Sequence, residues 1–198
     1  MTYFLVFLIS YFIGTISGSY IIGKIFLKKD IRKYGSGNAG TTNAMRVLGK
    51  KAGVLTFLID FFKGIVVTFL IKKFIGYEYV PFGILSAVIG HDFPFYMNFK
   101  GGKGVATTLG ALALYNLPLT FICYLFWVVL TISTKIVSLG SISFFISIII
   151  IYNLFSNLSA SNLIIINIIA ILGIFRHKDN IKRLIEGKEN KIGGKKWI

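Results

Sequence analysis

The run VLTFLIDFFKGIVV, residues 54–67, decides how the chain is read. Upstream of it stands GSGNAG, residues 35–40, with the G-x-G-x-x-G spacing of a dinucleotide-binding turn. Asp60 falls near where the ribose-binding acid of such a fold would lie. In a soluble βαβ unit the glycine turn follows a strand and opens a helix. Here it follows FLKKDIRKY, a basic connection, and Asp60 lies inside an apolar stretch that runs on to about residue 72. Some 20 such residues cross a membrane. The dinucleotide reading therefore fails, and Asp60 becomes a charge within a span. Such charges are expensive and normally pair or face the interior of a bundle. Lys63, one turn on, shares its helix face, so an ion pair between the two is expected.

The rest of the composition agrees with this reading. The chain has 198 residues, of which 55% are hydrophobic and only 15% charged, and its mean hydropathy is +0.77. Soluble domains are nearer a quarter charged. This predicts an all-α integral membrane protein with one domain over residues 1–198. The 22 Lys+Arg against 7 Asp+Glu fit basic loops beside anionic lipid rather than nucleic-acid binding. The lone Cys123 lies in an apolar run and reads as a buried thiol. No metal-ligand cluster and no internal repeat is visible, and no metal or cofactor is expected.

Apolar segments predict seven spans, at about residues 3–23, 53–72, 79–97, 104–116, 118–134, 138–155 and 162–176. The first lacks a positive amino-terminal flank and is expected to be retained rather than cleaved. With the amino terminus outside, residues 24–51 and 98–103, Lys135 and the tail face the cytoplasm and hold 19 of the 22 basic residues. This is the bias the positive-inside rule requires, and it leaves the carboxyl terminus in the cytoplasm.

Three polar segments then share the cytoplasmic side: GSGNAGTTNAMR, FKGGKG and FRHKDNIKR. Glycines 35, 37 and 40 allow close-approach backbone, and successive N–H groups in such a loop can cradle an anion. Ser36, Asn38, Thr41, Thr42 and Asn43 add neutral polar groups, and Arg46 adds a fork suited to phosphate. The bland alternative is a flexible polar loop with a helix cap. In the second segment Gly101, Gly102, Lys103 and Gly104 open a helix, again a plausible phosphate seat, while Lys100 reads as a snorkelling side chain. His177 and Asn180 are three apart at the end of the last span, and Ser138 and Ser141 three apart at the start of the sixth. His91, in GHDFPF, reads as a structural hydrogen bonder.

Together GSGNAGTTNAMRVLGKKAG (35–53), D-x-x-K-G (60–64), GHDFPFYMNFKGGKGVAT (90–107), VSLGSIS (137–143) and HKDNIKRLIEGKENKIG (177–193) resemble the acyl-phosphate-dependent glycerol-3-phosphate acyltransferases of bacterial inner membranes. The blocks fall in order and span nearly the whole chain. Ala39 and Thr41 stand where that family usually has proline and often alanine, and SLGS lacks a serine that often precedes the last one. The resemblance implies seven spans, an active site facing the cytoplasm, and transfer of an acyl group from acyl phosphate to the 1-hydroxyl of sn-glycerol 3-phosphate. The products are lysophosphatidic acid and inorganic phosphate.

Both substrates carry phosphate, which suits two basic glycine loops. Ser36, Gly37 and Asn38 are expected to hold the acyl phosphate. Arg46 and Lys103 are expected to hold the phosphate of the acceptor, and Ser141, His177 and Asn180 to orient its hydroxyls. Ser36, Arg46, Lys103 and His177 are the catalytic candidates, with Gly35, Gly40, Thr41, Asn43, Gly101, Gly102 and Gly104 completing substrate contacts. Ser36 as a covalent nucleophile is disfavoured because no His–Asp pair is evident to activate it. Membrane lipid is the expected surrounding and a monomer the expected state. The rival reading is a small transporter or channel for a phosphorylated solute.

Overall fold

Lipid-facing helices invert the soluble pattern: their large apolar side chains point outward and the polar ones inward. In the computed structural model, which describes residues 1–26 and 28–193, the helix Lys50–Phe74 does this along its length. Thr56, Asp60, Lys63, Gly64, Val67 and Ile71 form its buried stripe, while Val54, Leu58, Phe62, Val66 and Phe69 are exposed.

The described residues form ten α-helices and no strand. In chain order they are α1 (Thr2–Thr15), α2 (Gly18–Ile21), α3 (Thr41–Val47), α4 (Lys50–Phe74), α5 (Val80–Asp92), α6 (Val105–Tyr115), α7 (Leu117–Thr134), α8 (Val137–Phe155), α9 (Ala160–Arg176) and α10 (Lys178–Ile185). They fall into two compact units, one over Met1–Tyr115 and one beginning at Asn116. In the first, α1 packs on α5 and α4 on α6; in the second, α8 packs on both α7 and α9.

The expected helical character holds, but the expected spans do not all appear as single long helices. α4, α7 and α8 are long and apolar enough to cross a membrane. α1 with the helical stretch from Gly18, bent by 41°, and α9 with α10, bent by 54°, raise the number of candidate spans from three to five if each pair is one span. α5 has 13 residues and α6 has 11, or about 20 and 17 Å of helix against the ~30 Å of a bilayer core. α5 stops at Asp92 rather than near residue 97 because Pro94 follows. The residue before a proline avoids helical backbone, and Phe93 sits at φ −133°, ψ 58°.

α1 breaks at Ile16, and Ser17 caps α2 by accepting from Tyr20 N–H. A helix break leaves backbone carbonyls to be satisfied from outside the helix. Tyr96 donates its hydroxyl to Thr15 O at 2.6 Å, and the Lys63 ammonium donates to Ile16 O at 2.6 Å.

Helix pairs in lipid lack a hydrophobic drive to associate, so small residues at the crossing matter. At the α4–α6 crossing a Cβ on Gly64 would strike the Thr107 carbonyl, and one on Gly110 would strike that of Phe61. Overpacking of this kind costs about 1–3 kcal/mol. Gly64→Ala and Gly110→Ala are each expected to lower the detergent melting temperature, whereas Val66→Ala on the exposed face of α4 leaves it nearly unchanged. Unchanged melting in both glycine variants would refute the close crossing.

Candidate active site

The GSGNAG loop is built on a small apolar core of its own. Ile31, Ala39, Ala44 and Met97 are buried together, with Tyr20, Val47 and Leu48 packed around them. Gly35 and Gly37 take φ of 61° and 71°, in the left-handed region that glycine reaches without strain. The loop closes on Asn43, which is buried in the first turn of α3. Its carboxamide oxygen accepts from Ser36 N–H at 2.9 Å. Its NH2 donates to Ile31 O at 3.3 Å, Tyr34 O at 3.1 Å and Asn38 O at 3.0 Å.

The expected anion cradle is thereby altered. Ser36 N–H points to Asn43, and Gly37 N–H donates to Tyr34 O at 3.1 Å. These backbone donors hold the loop in shape, and the Ser36 side chain is left on the exposed outer face. Asn43 likewise organises the loop from beneath. Arg46 is half-buried on α3, and among the described residues no carboxylate pairs with its guanidinium. Gly40 caps α3, Thr41 is its half-buried first residue, and Asn38 is half-buried beside them.

Asn38 reaches the second glycine loop, donating its amide to Gly101 O at 3.4 Å. Arg32 makes a parallel tie, donating to Met97 O while its other nitrogens grip Asp30 at 2.8 and 3.0 Å. The hydrogen bonds from Arg32 hold the Asp30 carboxyl below the ordinary carboxylate range. A lowered folded-state value means that this pair contributes stability above the ordinary carboxylate pKa and loses it as pH falls through the lowered one.

In the second loop, Gly101 N–H donates to Asp92 O and Gly102 N–H to His91 O, both at 3.0 Å. The glycine pair thus caps the end of α5, and these N–H groups are not turned toward a ligand. A Cβ on Gly101 would strike His91 O, and one on Gly102 would strike the His91 ring. Gly104, at φ 74°, turns the chain into α6, and Lys103 stands half-buried at this turn.

Beneath the loop the expected Asp60–Lys63 ion pair is present at 3.0 Å with both side chains buried. His91, read as structural from sequence, joins it: its Nδ1 lies 2.7 Å from Lys63 Nζ and 3.6 Å from Asp60 Oδ1.

In the second unit, His177 is the hinge between α9 and α10. Its Nδ1 lies 2.7 Å from Gly173 O. A carbonyl only accepts, so Nδ1 carries a proton and Nε2 is the ring nitrogen turned away from that bond. Asn180 is buried on α10 and donates to Glu189 Oε1 at 3.2 Å, while Glu189 Oε2 accepts from Arg183 Nε at 2.9 Å. Glu189 lies within the block 177–193, but a separation of nine residues carries no periodic signal that would pair it with Asn180. Ser141 donates to Val137 O at 2.9 Å and accepts from Trp127 Nε1 at 3.3 Å. Ser138 is buried one turn earlier, and its hydroxyl has no partner among the described residues.

Comparison with known proteins agrees with the resemblance read from the sequence. Residues 4–187 match the family model described as glycerol-3-phosphate acyltransferase. A glycerol-3-phosphate acyltransferase of Finegoldia magna is 46% identical over 187 residues, 94% of each chain. One from Alkaliphilus metalliredigens is 44% identical over 192 residues, 96% of each chain. Among solved structures, PlsY (YgiH), described as an integral membrane glycerol 3-phosphate acyltransferase, superposes in its glycerol 3-phosphate form with a TM-score of 0.90 at 35% identity, covering 98% of this chain and 96% of that one. Its lysophosphatidic acid form superposes with a TM-score of 0.87. By sequence along nearly its whole length, and by fold, the chain belongs to the glycerol-3-phosphate acyltransferase family.

Proposed function

We propose that this protein transfers a fatty acyl group from acyl phosphate to the 1-hydroxyl of sn-glycerol 3-phosphate, releasing lysophosphatidic acid and inorganic phosphate. The observation that carries the reading is the likeness to PlsY, whose two solved forms are named for glycerol 3-phosphate and for lysophosphatidic acid, the acceptor and the acylated product of this reaction. Nothing comparable favours a transporter.

The hydroxyl oxygen of the acceptor attacks the acyl carbon, the ester C–O bond forms, and the bond from that carbon to the phosphate oxygen breaks. The phosphate leaves with the bonding pair, and the hydroxyl proton leaves with it or passes through His177 Nε2. Phosphate is a good leaving group, so positioning and charge neutralisation carry much of the acceleration. Arg46 and Lys103 neutralise phosphate charge, and the Ser36 hydroxyl donates to the acyl phosphate. Asn38, Gly35, Gly37, Gly40, Thr41, Gly101, Gly102 and Gly104 shape the loops that present these groups, with Asn43 as their internal brace. Ser141, His177 and Asn180 direct the glycerol hydroxyls.

The protein acts as a monomer in the bacterial inner membrane, with the amino terminus outside and the site facing the cytoplasm. Seven crossings follow if α5, joined to the Tyr77–Tyr79 turn, and α6 are short spans in a locally thinned bilayer. The placement of 19 of 22 basic residues on one side supports this orientation.

Purified protein in detergent is expected to release phosphate from palmitoyl phosphate only when glycerol 3-phosphate is present, and not to use palmitoyl-CoA. Arg46→Ala is expected to lower turnover on the order of 10²-fold or more. Absence of release by the wild type would overturn the reading. Asn43→Ala removes the brace of the first loop and leaves buried backbone groups unpaired. Tryptic cleavage after Lys33 is then expected to quicken about tenfold, a loss of ~1.4 kcal/mol of local stability. An unchanged cleavage rate would refute the brace.

A further inference from the structure

The cluster around Lys63 has no place in the roles just assigned, yet it is a buried polar group joined to three elements. An ammonium has three N–H donors. Three acceptors surround Lys63 Nζ: Ile16 O at 2.6 Å, His91 Nδ1 at 2.7 Å and Asp60 Oδ1 at 3.0 Å. One lies on the break after α1, one on α5 and one on α4 itself. Held by two hydrogen bonds and an ion pair and with its side chain buried, Lys63 is not a group that meets a substrate.

Its effect passes through His91. An ammonium cannot accept, so His91 accepts at Nδ1 and carries its proton on Nε2. The Nε2 side of the ring lies directly under Gly102, where a Cβ would meet Nε2, Cε1 and Cδ2. The backbone of the loop is fastened to the same residue, through Gly102 N–H to His91 O at 3.0 Å, and to its neighbour through Gly101 N–H to Asp92 O. Gly101 in turn accepts from Asn38 of the first glycine loop. Anything that tilts the imidazole therefore moves Gly102, and Lys103 is the next residue.

We propose that Lys63 and His91 are positioning residues for the phosphate grip. Lys63 fixes the imidazole, the imidazole sets the height of Gly102, and Gly102 sets the place of the Lys103 ammonium. Asp60 keeps the buried Lys63 charged and oriented. This inference rests on the proposed function for what Lys103 holds.

The test measures KM for glycerol 3-phosphate and for palmitoyl phosphate separately, with kcat and melting temperature, in detergent-purified full chain. His91→Phe keeps a flat ring beneath Gly102 but cannot accept from Lys63. It is expected to raise KM for glycerol 3-phosphate on the order of 10- to 100-fold, while KM for palmitoyl phosphate and kcat stay within about twofold. His91→Gln returns an acceptor to Lys63 and is expected to bring the acceptor KM to within about threefold of wild type. The double variant Lys63→Met with Asp60→Leu removes both charges together, leaving no orphaned ion, and is expected to reproduce the His91→Phe effect; it decides the matter where His91→Phe does not fold. An unchanged acceptor KM in a folded variant overturns the proposal, as do equal losses in every parameter that track the melting temperature. Amide exchange over residues 99–105 reads the loop without needing activity: it is expected to quicken in His91→Phe, and unchanged exchange overturns the positioning role. A wild type that releases no phosphate overturns the proposed function instead, and the exchange measurement still decides this inference.

Discussion

A lysine placed in the middle of an apolar helix must find acceptors for three N–H groups without the help of water. Lys63 hydrogen-bonds α5 and the break in the first helix, and pairs with the Asp60 carboxylate on its own helix. That requirement orders much of the first unit. The chain break at Ile16 leaves a carbonyl that needs a donor, and Lys63 is a donor that needs a carbonyl. Neither is stable in an apolar setting alone. Asp60 supplies the compensating charge, and since both side chains are buried, removing one partner would leave the other as an uncompensated ion. The three helices are thus held in register by a polar contact at a depth where apolar side chains have little preference between lipid and protein.

The glycines act mainly as a means of close approach. Gly64 and Gly110 let α4 and α6 meet backbone to backbone, and Gly14 and Gly90 do the same for α1 and α5. Gly101 and Gly102 let a loop lie flat on the end of α5. Only Gly35, Gly37 and Gly104, among the glycines of the two polar loops, take a left-handed turn. The pattern that spells a phosphate cradle in one dimension, GSGNAG, thus serves mainly to turn the chain, while the glycine pair of FKGGKG brings a loop against the end of α5.

What was legible in the sequence follows from the distance over which each contact acts. The Asp60–Lys63 pair was readable because three residues on a helix are neighbours. The end of α5 was marked by Pro94, although the apolar run continues past it to Met97. The break at Ile16–Ser17 carried signals in GTISGSY, but the run is apolar enough to pass for one continuous span. The union of His91 with Lys63 joins residues 28 apart, and that of Asn38 with Gly101 residues 63 apart; no periodicity reports such contacts. α10 was hidden by its charge: KDNIKRLI reads as a basic tail, yet it forms a helix on which Asn180 and Arg183 meet Glu189. The family resemblance reached the polar segments to which the chemistry is assigned by proposal, but not how their backbone donors would be used.

That use bears on the chemistry. Ser36, Gly37, Gly101 and Gly102 all turn their N–H groups inward, to Asn43, Tyr34, Asp92 and His91. Under the proposed function, stabilisation of phosphate then falls to side chains, with Arg46 and Lys103 as the cations and Ser36 as a neutral donor. Side-chain cations on loops are only as well placed as the loops themselves, whereas a backbone cradle is fixed by its own geometry. The loops are correspondingly braced, by a private apolar core beneath the first, a histidine floor beneath the second, and the Asn38 and Arg32 ties between them. For the proposed reaction, whose leaving group needs little help from a base, this bracing is where acceleration would be gained, because a cation displaced by an ångström from a developing charge loses much of its effect.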